Sequence, residues 1–160
     1  MTGSSGPAAG AGGRPLVLLL SGVNLGLLGE RQPNVYGAAT LADHAGTAEK
    51  EAASVGLELE HVHSDSESGL VKAIHDARHR AAAIIINPGA FTHYAWAIHD
   101  ALAAFEGPVV ELHLSNPDAR EPWRRTSVVS PVATGTIAGF GGNGYRLAVR
   151  AVADLLTPHK

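Results

Sequence analysis

Apolar runs alternate along this chain with segments of helical pattern, and this alternation constrains the fold more than any other feature. The runs PLVLLL (15–20) and AAAIIINPG (81–89) lack the regular polar positions of a strand with one wet face. They therefore predict strands that are buried on both faces. Strands that alternate with helices form parallel sheets with helices on both sides, so the sequence predicts an α/β fold.

The pattern divides the chain into five strand and helix units. It predicts strands at 15–20, 57–63, 81–89, 109–115 and 134–139, and helices at 40–56, 66–80, about 93–105 and 142–156. Segment 57–63 alternates as an edge strand does. Five such units match a flavodoxin-like, doubly wound, five-stranded parallel sheet. We expect a single domain over 14–160, preceded by a disordered Gly, Ala and Ser-rich tail at 1–13.

Composition excludes several classes of protein. The chain has no cysteine, which excludes disulfides and thiolate metal sites and fits a reducing, cytoplasmic compartment. No apolar run approaches the roughly 20 residues that span a bilayer, so we expect no membrane partner. With 15 acidic and 12 basic residues and no basic face, the chain is not expected to bind nucleic acid.

Ligands of doubly wound folds bind at the carboxyl ends of the strands, near the point where the strand order reverses. The loops after the first, third and fourth strands, 21–37, 87–93 and 113–125, are therefore expected to form one crevice. The glycine-rich segment GFGGNG (139–144) occurs in the last unit and has no acid about 20 residues further on, so it does not predict a dinucleotide site. The histidine pairs of the chain lack a third ligand, so we predict no metal site.

The first loop contains an arginine and a tyrosine five residues apart, Arg31 and Tyr36. A free phenol has a pKa of about 10, and a nearby guanidinium favours the phenolate. The pair is therefore a candidate for an activated general base. The alternative is a loop tyrosine that packs its ring and a solvated arginine.

The fourth strand ends in ELHLS, where Glu111 and His113 share one face because strand side chains alternate. A carboxylate beside an imidazole fixes its tautomer and favours its protonated form, which suits a general acid. A histidine that only forms a hydrogen bond at a sheet edge is the alternative.

Further polar groups lie in the same loops. The main chain of HLSN, at Leu114, Ser115 and Asn116, offers N–H groups for a carboxylate. Arg120 and Arg124, four residues apart, can bind anionic or hydroxylated groups or be solvated. The amides of Asn24 and Asn87 can stabilise an enolate oxygen, or serve only as turn residues.

Taken together, the three loops resemble those of one family, the type II 3-dehydroquinate dehydratases of the shikimate pathway. The resemblance covers nearly the whole chain beyond the tail. Its segments are NLGLLGERQPNVYG (24–37), SDSE (64–67), IINPGAFTHYAWAIHDAL (85–102), VVELHLSNPDAREPWR (109–124) and SPVATGTIAGFGGNGY (130–145).

The resemblance implies that the chain converts 3-dehydroquinate to 3-dehydroshikimate through an enolate, without metal or organic cofactor. Tyr36 would be the base, Arg31 its activator, Asn24 an enolate-stabilising group, and His113 the acid with Glu111 as its partner. The residues implied to contact substrate are Asn87, His93, Leu114, Ser115, Asn116 and Arg124, with Arg120 as a second arginine associated with a lid. Asp100 would reach a neighbouring subunit's site, because the family is typically a dodecamer of four trimers.

The sequence departs from the family pattern at several positions. The chain has SGVN where the family usually shows NGPN, so that Ser21 and Val23 replace Asn and Pro. Asp118 stands where a bulkier His or Tyr is frequent, and Arg125 and Val128 stand where His and Tyr are usual. Two alternatives stay open, of which the departures at Ser21, Val23 and Val128 motivate the first. One is a paralogue of specialised metabolism that uses the same base and acid on a modified dehydroquinate or another cyclic ketone. The other is a non-catalytic flavodoxin-like binding module.

Overall fold

The apolar runs form one parallel sheet in the computed structural model, which describes residues 11–158. Its strands are β1 (Leu16–Ser21), β2 (Glu58–His63), β3 (Ala83–Asn87), β4 (Val109–His113) and β5 (Gly135–Ala138), in the order β2-β1-β3-β4-β5. The helices are α1 (Pro33–Tyr36), α2 (Leu41–Ser54), α3 (Glu67–Ala77), α4 (Trp96–Ala103) and α5 (Asn143–Leu156). The predicted five-stranded, single-domain fold is confirmed. Most of the predicted tail, residues 1–10, lies outside the described residues, as do 159–160.

Strand β1 shows why the sheet is covered on both sides. All six of its residues are buried. Val17 and Leu19 pack into a cluster with residues of α2 and α5, whereas Leu18 and Leu20 pack into a second cluster with residues of α3 and α4. Because successive side chains of a strand point to opposite faces, a continuous apolar run is the pattern that such a central strand requires.

Helix α2 begins and ends where the sequence predicts. Thr40 Oγ1 accepts a hydrogen bond from the Asp43 N–H, and the Asp43 carboxylate accepts one from the Thr40 N–H, so the two residues form a capping box. Gly56 follows the helix at φ 78°, in the left-handed region that glycine adopts at little cost.

The predicted ends of the third strand and of the following helix need correction. Strand β3 stops at Asn87, and residues 89–93 form a 3₁₀ turn before α4 begins at Trp96. Residues 21–37, predicted as an irregular loop, contain a 3₁₀ turn at Leu25–Leu27 and the short helix α1. Pro33 stands at the first turn of α1, where its fixed φ favours the helix and its missing N–H is not needed.

Two glycines allow the loop after β1 and the loop after β3 to pack closely against each other. A Cβ on Gly22 would lie 2.1 Å from the carbonyl oxygen of Pro88, and one on Gly89 would lie 2.6 Å from that of Val23. Both distances are shorter than any real carbon–oxygen contact of this kind. The loops that follow β1 and β3 can therefore meet only because neither glycine has a side chain.

Of the helices between residues 11 and 158, none has the length and apolar character needed to cross a membrane.

Candidate active site

The loops after β1, β3 and β4 line a cleft at the carboxyl edge of the sheet, as the sequence predicts. The cleft, together with the adjoining space that is open to solvent, has a volume of about 760 Å³. Ten of the predicted site residues line it: Asn24, Arg31, Tyr36, Asn87, His93, His113, Leu114, Ser115, Arg120 and Arg124. One cavity thus contains both the predicted base and the predicted acid.

The hydroxyl of Tyr36 is held by an arginine from the third loop. Arg120 Nη1 donates a hydrogen bond to Tyr36 Oη at 2.7 Å, and its guanidinium carbon lies 5.3 Å from the centre of the tyrosine ring. The same Nη1 atom lies 3.3 Å from Ser115 Oγ. Arg120 is therefore the cationic hydrogen-bond donor to the phenol of Tyr36.

The contact predicted between Arg31 and Tyr36 is not made in this structure. Both side chains line the cleft, but among the described residues the phenol's arginine partner is Arg120. A guanidinium can reach a phenol from a neighbouring element as readily as from its own loop, and sequence separation does not distinguish the two. The role of Arg31 as activator stays a prediction.

His113 and Glu111 form the predicted pair at the end of β4. His113 Nε2 lies 3.1 Å from Glu111 Oε1. Because an ionised carboxylate can only accept, the hydrogen of a neutral His113 sits on Nε2. Nδ1 has no protein partner among residues 11–158, so a proton added there is the one that the imidazole can transfer.

Glu111 is buried, with 1% of its surface exposed. Its carboxylate accepts hydrogen bonds from Thr92 Oγ1, from Ser127 Oγ at 2.8 Å and from the imidazole of His113. Burial raises the pKa of Glu111, but the hydrogen bonds from His113, Thr92 and Ser127 together outweigh it and hold that pKa below its usual value. Glu111 therefore remains ionised under His113.

We expect the variant Glu111→Gln to lower the free energy of unfolding by about 2 kcal/mol near neutral pH, because its amide NH₂ would face hydrogen-bond donors. The pKa of Glu111 is lower in the folded than in the unfolded chain, so the ionised form stabilises the fold above the ordinary value of 4.5. This stabilisation is lost as the pH falls below that value. Urea unfolding should show that the gap between wild type and variant narrows on acidification. A gap independent of pH contradicts the assignment.

His93 is set to act as a neutral hydrogen-bonding group. Its Nδ1–H donates to the carbonyl oxygen of Thr126 at 2.6 Å, and its ring packs edge to face with that of Trp123, with centroids 5.0 Å apart. Burial lowers the pKa of His93, as do the nearby His113 and Arg124, although the hydrogen bond to Thr126 opposes them. Nε2 of a neutral His93 is then free to accept a hydrogen bond from a substrate hydroxyl.

Asn87 and Arg124 are also held in fixed orientations. Asn87 is 2% exposed, donates from Nδ2 to the hydroxyl of Tyr145 at 3.4 Å and accepts the Gly89 N–H at Oδ1. Arg124 donates to the Glu121 carboxylate and stacks on its neighbouring tryptophan, its guanidinium carbon 4.1 Å from the ring centre. Each therefore keeps further N–H donors for a ligand in the cleft.

Three predicted site residues do not line this cleft. Glu111 lies behind His113, and the Asn116 side chain accepts the N–H of Asp118 as the cap of a short 3₁₀ turn. Asp100 is exposed on α4. The N–H groups of Ser115 and Asn116 have no acceptor among the described residues, so the main chain at this point keeps the donors that the sequence predicts.

Sequence reasoning missed several residues of the site. Thr92 and Ser127 donate hydrogen bonds to Glu111, and Leu25, Leu28 and Trp123 form part of the apolar cleft wall. Single hydroxyl and apolar residues carry no pattern of their own. Only Trp123 gave a signal that could have been used, since a tryptophan between arginines in a polar loop is rarely there for burial; it is 53% exposed.

No group of three or more His, Asp or Glu side chains within residues 11–158 is arranged to hold a metal ion.

Comparisons with known proteins point to one family. The sequence model described as Dehydroquinase class II matches residues 15–153. The chain is 50% identical over 143 residues to 3-dehydroquinate dehydratase 2 of Pseudomonas putida, covering 89% of this chain and 96% of the relative. It is 47% identical to the 3-dehydroquinate dehydratase of Bacillus licheniformis, with 84% and 93% covered. The crystal structure of type II dehydroquinase from Propionibacterium acnes superposes with a TM-score of 0.84 at 44% identity, covering 87% of this chain and 96% of that one.

Proposed function

The chain belongs to the dehydroquinase class II family and dehydrates 3-dehydroquinate to 3-dehydroshikimate, and from this premise we propose that Tyr36 and His113 carry the reaction through an enolate intermediate. The observation that supports the proposal is the placement of both groups in one cleft. There, the Tyr36 hydroxyl is hydrogen-bonded to the guanidinium of Arg120, and the His113 imidazole is hydrogen-bonded to the buried carboxylate of Glu111.

The first step is removal of a proton from C2, which is acidified by the neighbouring C3 ketone. The phenolate of Tyr36 takes the proton, and the electron pair of the C–H bond moves to the carbonyl oxygen as the enolate forms. Arg120 stabilises the phenolate before the step, and we retain Arg31 as a second activator, since it lines the same cleft. The amide of Asn24 stabilises the enolate oxygen.

The second step expels the C1 hydroxyl as water. The enolate collapses, a double bond forms between C1 and C2, and the C1–O bond breaks as His113 Nδ1 transfers its proton to the departing oxygen. Glu111 stabilises the cation of His113 before this transfer and fixes its orientation. The reaction leaves a proton on Tyr36 and none on Nδ1, so both groups return to their starting forms by exchange with solvent.

Substrate binding uses the remaining polar groups of the cleft. The free N–H groups at Ser115 and Asn116 receive the carboxylate, next to Leu114. Asn87, His93 and Arg124 bind hydroxyl groups with the donors and acceptors that their own contacts leave unused. Residues 24–37, which carry Tyr36, act as a lid that excludes water once the substrate is bound.

The elimination involves no net oxidation or reduction, so the proposed steps balance with acid and base groups alone and use neither metal nor organic cofactor. We assign the enzyme to the cytoplasm as part of the same proposal, because a cysteine-free chain fits a reducing compartment.

Formation of the conjugated enone, followed by its ultraviolet absorbance, tests the proposed substrate. Purified protein should turn over 3-dehydroquinate at about 1 to 10³ s⁻¹. A folded protein that leaves 3-dehydroquinate unchanged would support the paralogue that acts on a modified dehydroquinate or another cyclic ketone.

We also propose that the chain assembles into a homododecamer built from four trimers. Two large aromatic side chains beside or within α4, Tyr94 and Trp96, are 55% and 63% exposed, and exposed aromatic groups of this size mark contact surfaces. Asp100 lies on the same helix, outside its own cleft, and in the assembly it reaches the cleft of a neighbour. Sedimentation equilibrium should give about twelve times the chain mass of 16.5 kDa; a monomer contradicts the proposal.

A further inference from the structure

The main chain at Asn24 has an uncommon conformation for a residue with a side chain. Its φ is 65°, in the left-handed region, which asparagine tolerates better than most residues but still at some cost. Its side chain lines the cleft and forms no hydrogen bond with the described residues. The direction of this amide therefore depends on whatever holds the main chain of Asn24 in place.

A carboxylate from the loop after β2 holds it. Asp65 Oδ1 accepts the N–H of Asn24 at 2.8 Å and lies 3.4 Å from His63 Nε2. The ring of His63 in turn lies against the segment that follows Asn24, since a Cβ on Gly26 would come within 3.1 Å of His63 Cε1. The end of β2 thus contacts this segment at residues 24 and 26.

The residue before Asn24 does not itself constrain the main-chain conformation of this segment. Val23 is not a proline, so its φ is not fixed by a ring and the segment is not stiffened at this position. Upstream, the fully buried Ser21 has its hydroxyl 2.9 Å from Nε2 of His61, also on β2. Side chains from β2 and the loop after it therefore fix this segment both before and after Val23.

We propose that Asp65, supported by His63, is a positioning residue that holds Asn24 in its left-handed conformation and aims its amide at the enolate oxygen. The inference rests on the proposed role of Asn24 in the reaction. Asp65 acts through Asn24, so its contribution belongs to the step in which negative charge develops on the ketone oxygen, and substrate binding depends on it much less.

The test compares Asp65→Ala with Asp65→Asn, alone and combined with Asn24→Ala. Removing a donor to a developing oxyanion costs about a hundredfold in kcat, which we expect for Asn24→Ala. Asp65→Ala should lower kcat about tenfold with little change in KM, because the donor is misdirected and not removed. Asp65→Asn keeps an oxygen that can accept the Asn24 N–H, so this variant should retain most of the wild-type kcat. Glu67→Ala is the matched control, since this acid opens α3 close by and forms no hydrogen bond with the described residues.

The double variant decides whether Asp65 acts through Asn24. Asp65→Ala should have no further effect on kcat in the Asn24→Ala background. An equal loss in both backgrounds, or no loss in either, overturns the inference. If Asn24→Ala keeps the full rate, the proposed role of Asn24 is wrong, and the inference about Asp65 is wrong with it. This outcome is distinguished by the rate of the Asn24→Ala variant alone.

A second measurement does not depend on activity. Amide hydrogen exchange over residues 22–28 should accelerate in Asp65→Ala and stay at the wild-type rate in Asp65→Asn and Glu67→Ala. Unchanged exchange in Asp65→Ala overturns the inference, whatever the catalytic rates.

Discussion

Replacing Tyr36 with phenylalanine should lower kcat for 3-dehydroquinate by about a thousandfold, with a much smaller change in KM. A positioned general base contributes about 10²- to 10⁴-fold, and the phenolic hydroxyl is the only group lost. Phenylalanine keeps the ring over which the Arg120 guanidinium lies, 5.3 Å from the ring centre, so the wall of the cleft is retained. Initial rates of enone formation measure the effect.

The control for this variant is His75→Gln, since His75 is exposed on α3 and does not line the cleft. It should keep the wild-type kcat. If Tyr36→Phe also keeps it, with an unchanged circular dichroism spectrum, Tyr36 is not the base and the order of proton transfers has to be assigned again.

Replacing His113 with glutamine should also lower kcat by about a thousandfold, because the departing hydroxyl then has no acid. The two variants should differ in whether the C2 proton of the substrate can still be removed. Without His113 the base still removes the C2 proton, and the enolate returns to substrate, so substrate recovered from D₂O should contain deuterium at C2. With Tyr36→Phe it should contain none.

Mass spectrometry of the recovered substrate separates the two roles. His75→Gln serves as the control, because His75 is exposed on α3, and it should leave both the rate and the isotope content unchanged. Deuterium at C2 in the Tyr36 variant, or a His113→Gln variant with the full rate, is inconsistent with the assigned roles.

The sequence predicts the sheet well because its signals are local. The continuous apolar run of β1 requires burial on both faces, and the alternating pattern of 57–63 suits the edge position that β2 occupies. The capping box of Thr40 and Asp43 sets the start of α2. Element ends such as that of β3 at Asn87 were less predictable, because the tight approach of Gly22 and Gly89 is a tertiary contact.

The sequence predicts which loops form the candidate site, but it predicts less well which side chains contact one another there. Alternation along β4 placed Glu111 beside His113, and the structure has them 3.1 Å apart. Proximity in sequence pointed to Arg31 as the partner of Tyr36, whereas the hydrogen bond comes from Arg120, 84 residues away. A contact between side chains so far apart in the chain produces no periodic pattern in the sequence.

A crystal structure of the enzyme with a non-reactive carbocyclic analogue of dehydroquinate bound would test the roles of Tyr36 and His113 most directly. Our prediction is one closed cavity in which Tyr36 Oη lies about 3 to 3.5 Å from C2 and His113 Nδ1 lies within hydrogen-bonding distance of the C1 oxygen, with Arg31 or Arg120 hydrogen-bonded to the phenol. An analogue bound with Tyr36 and His113 on separate cavities, or with the phenol turned away from C2, would contradict it.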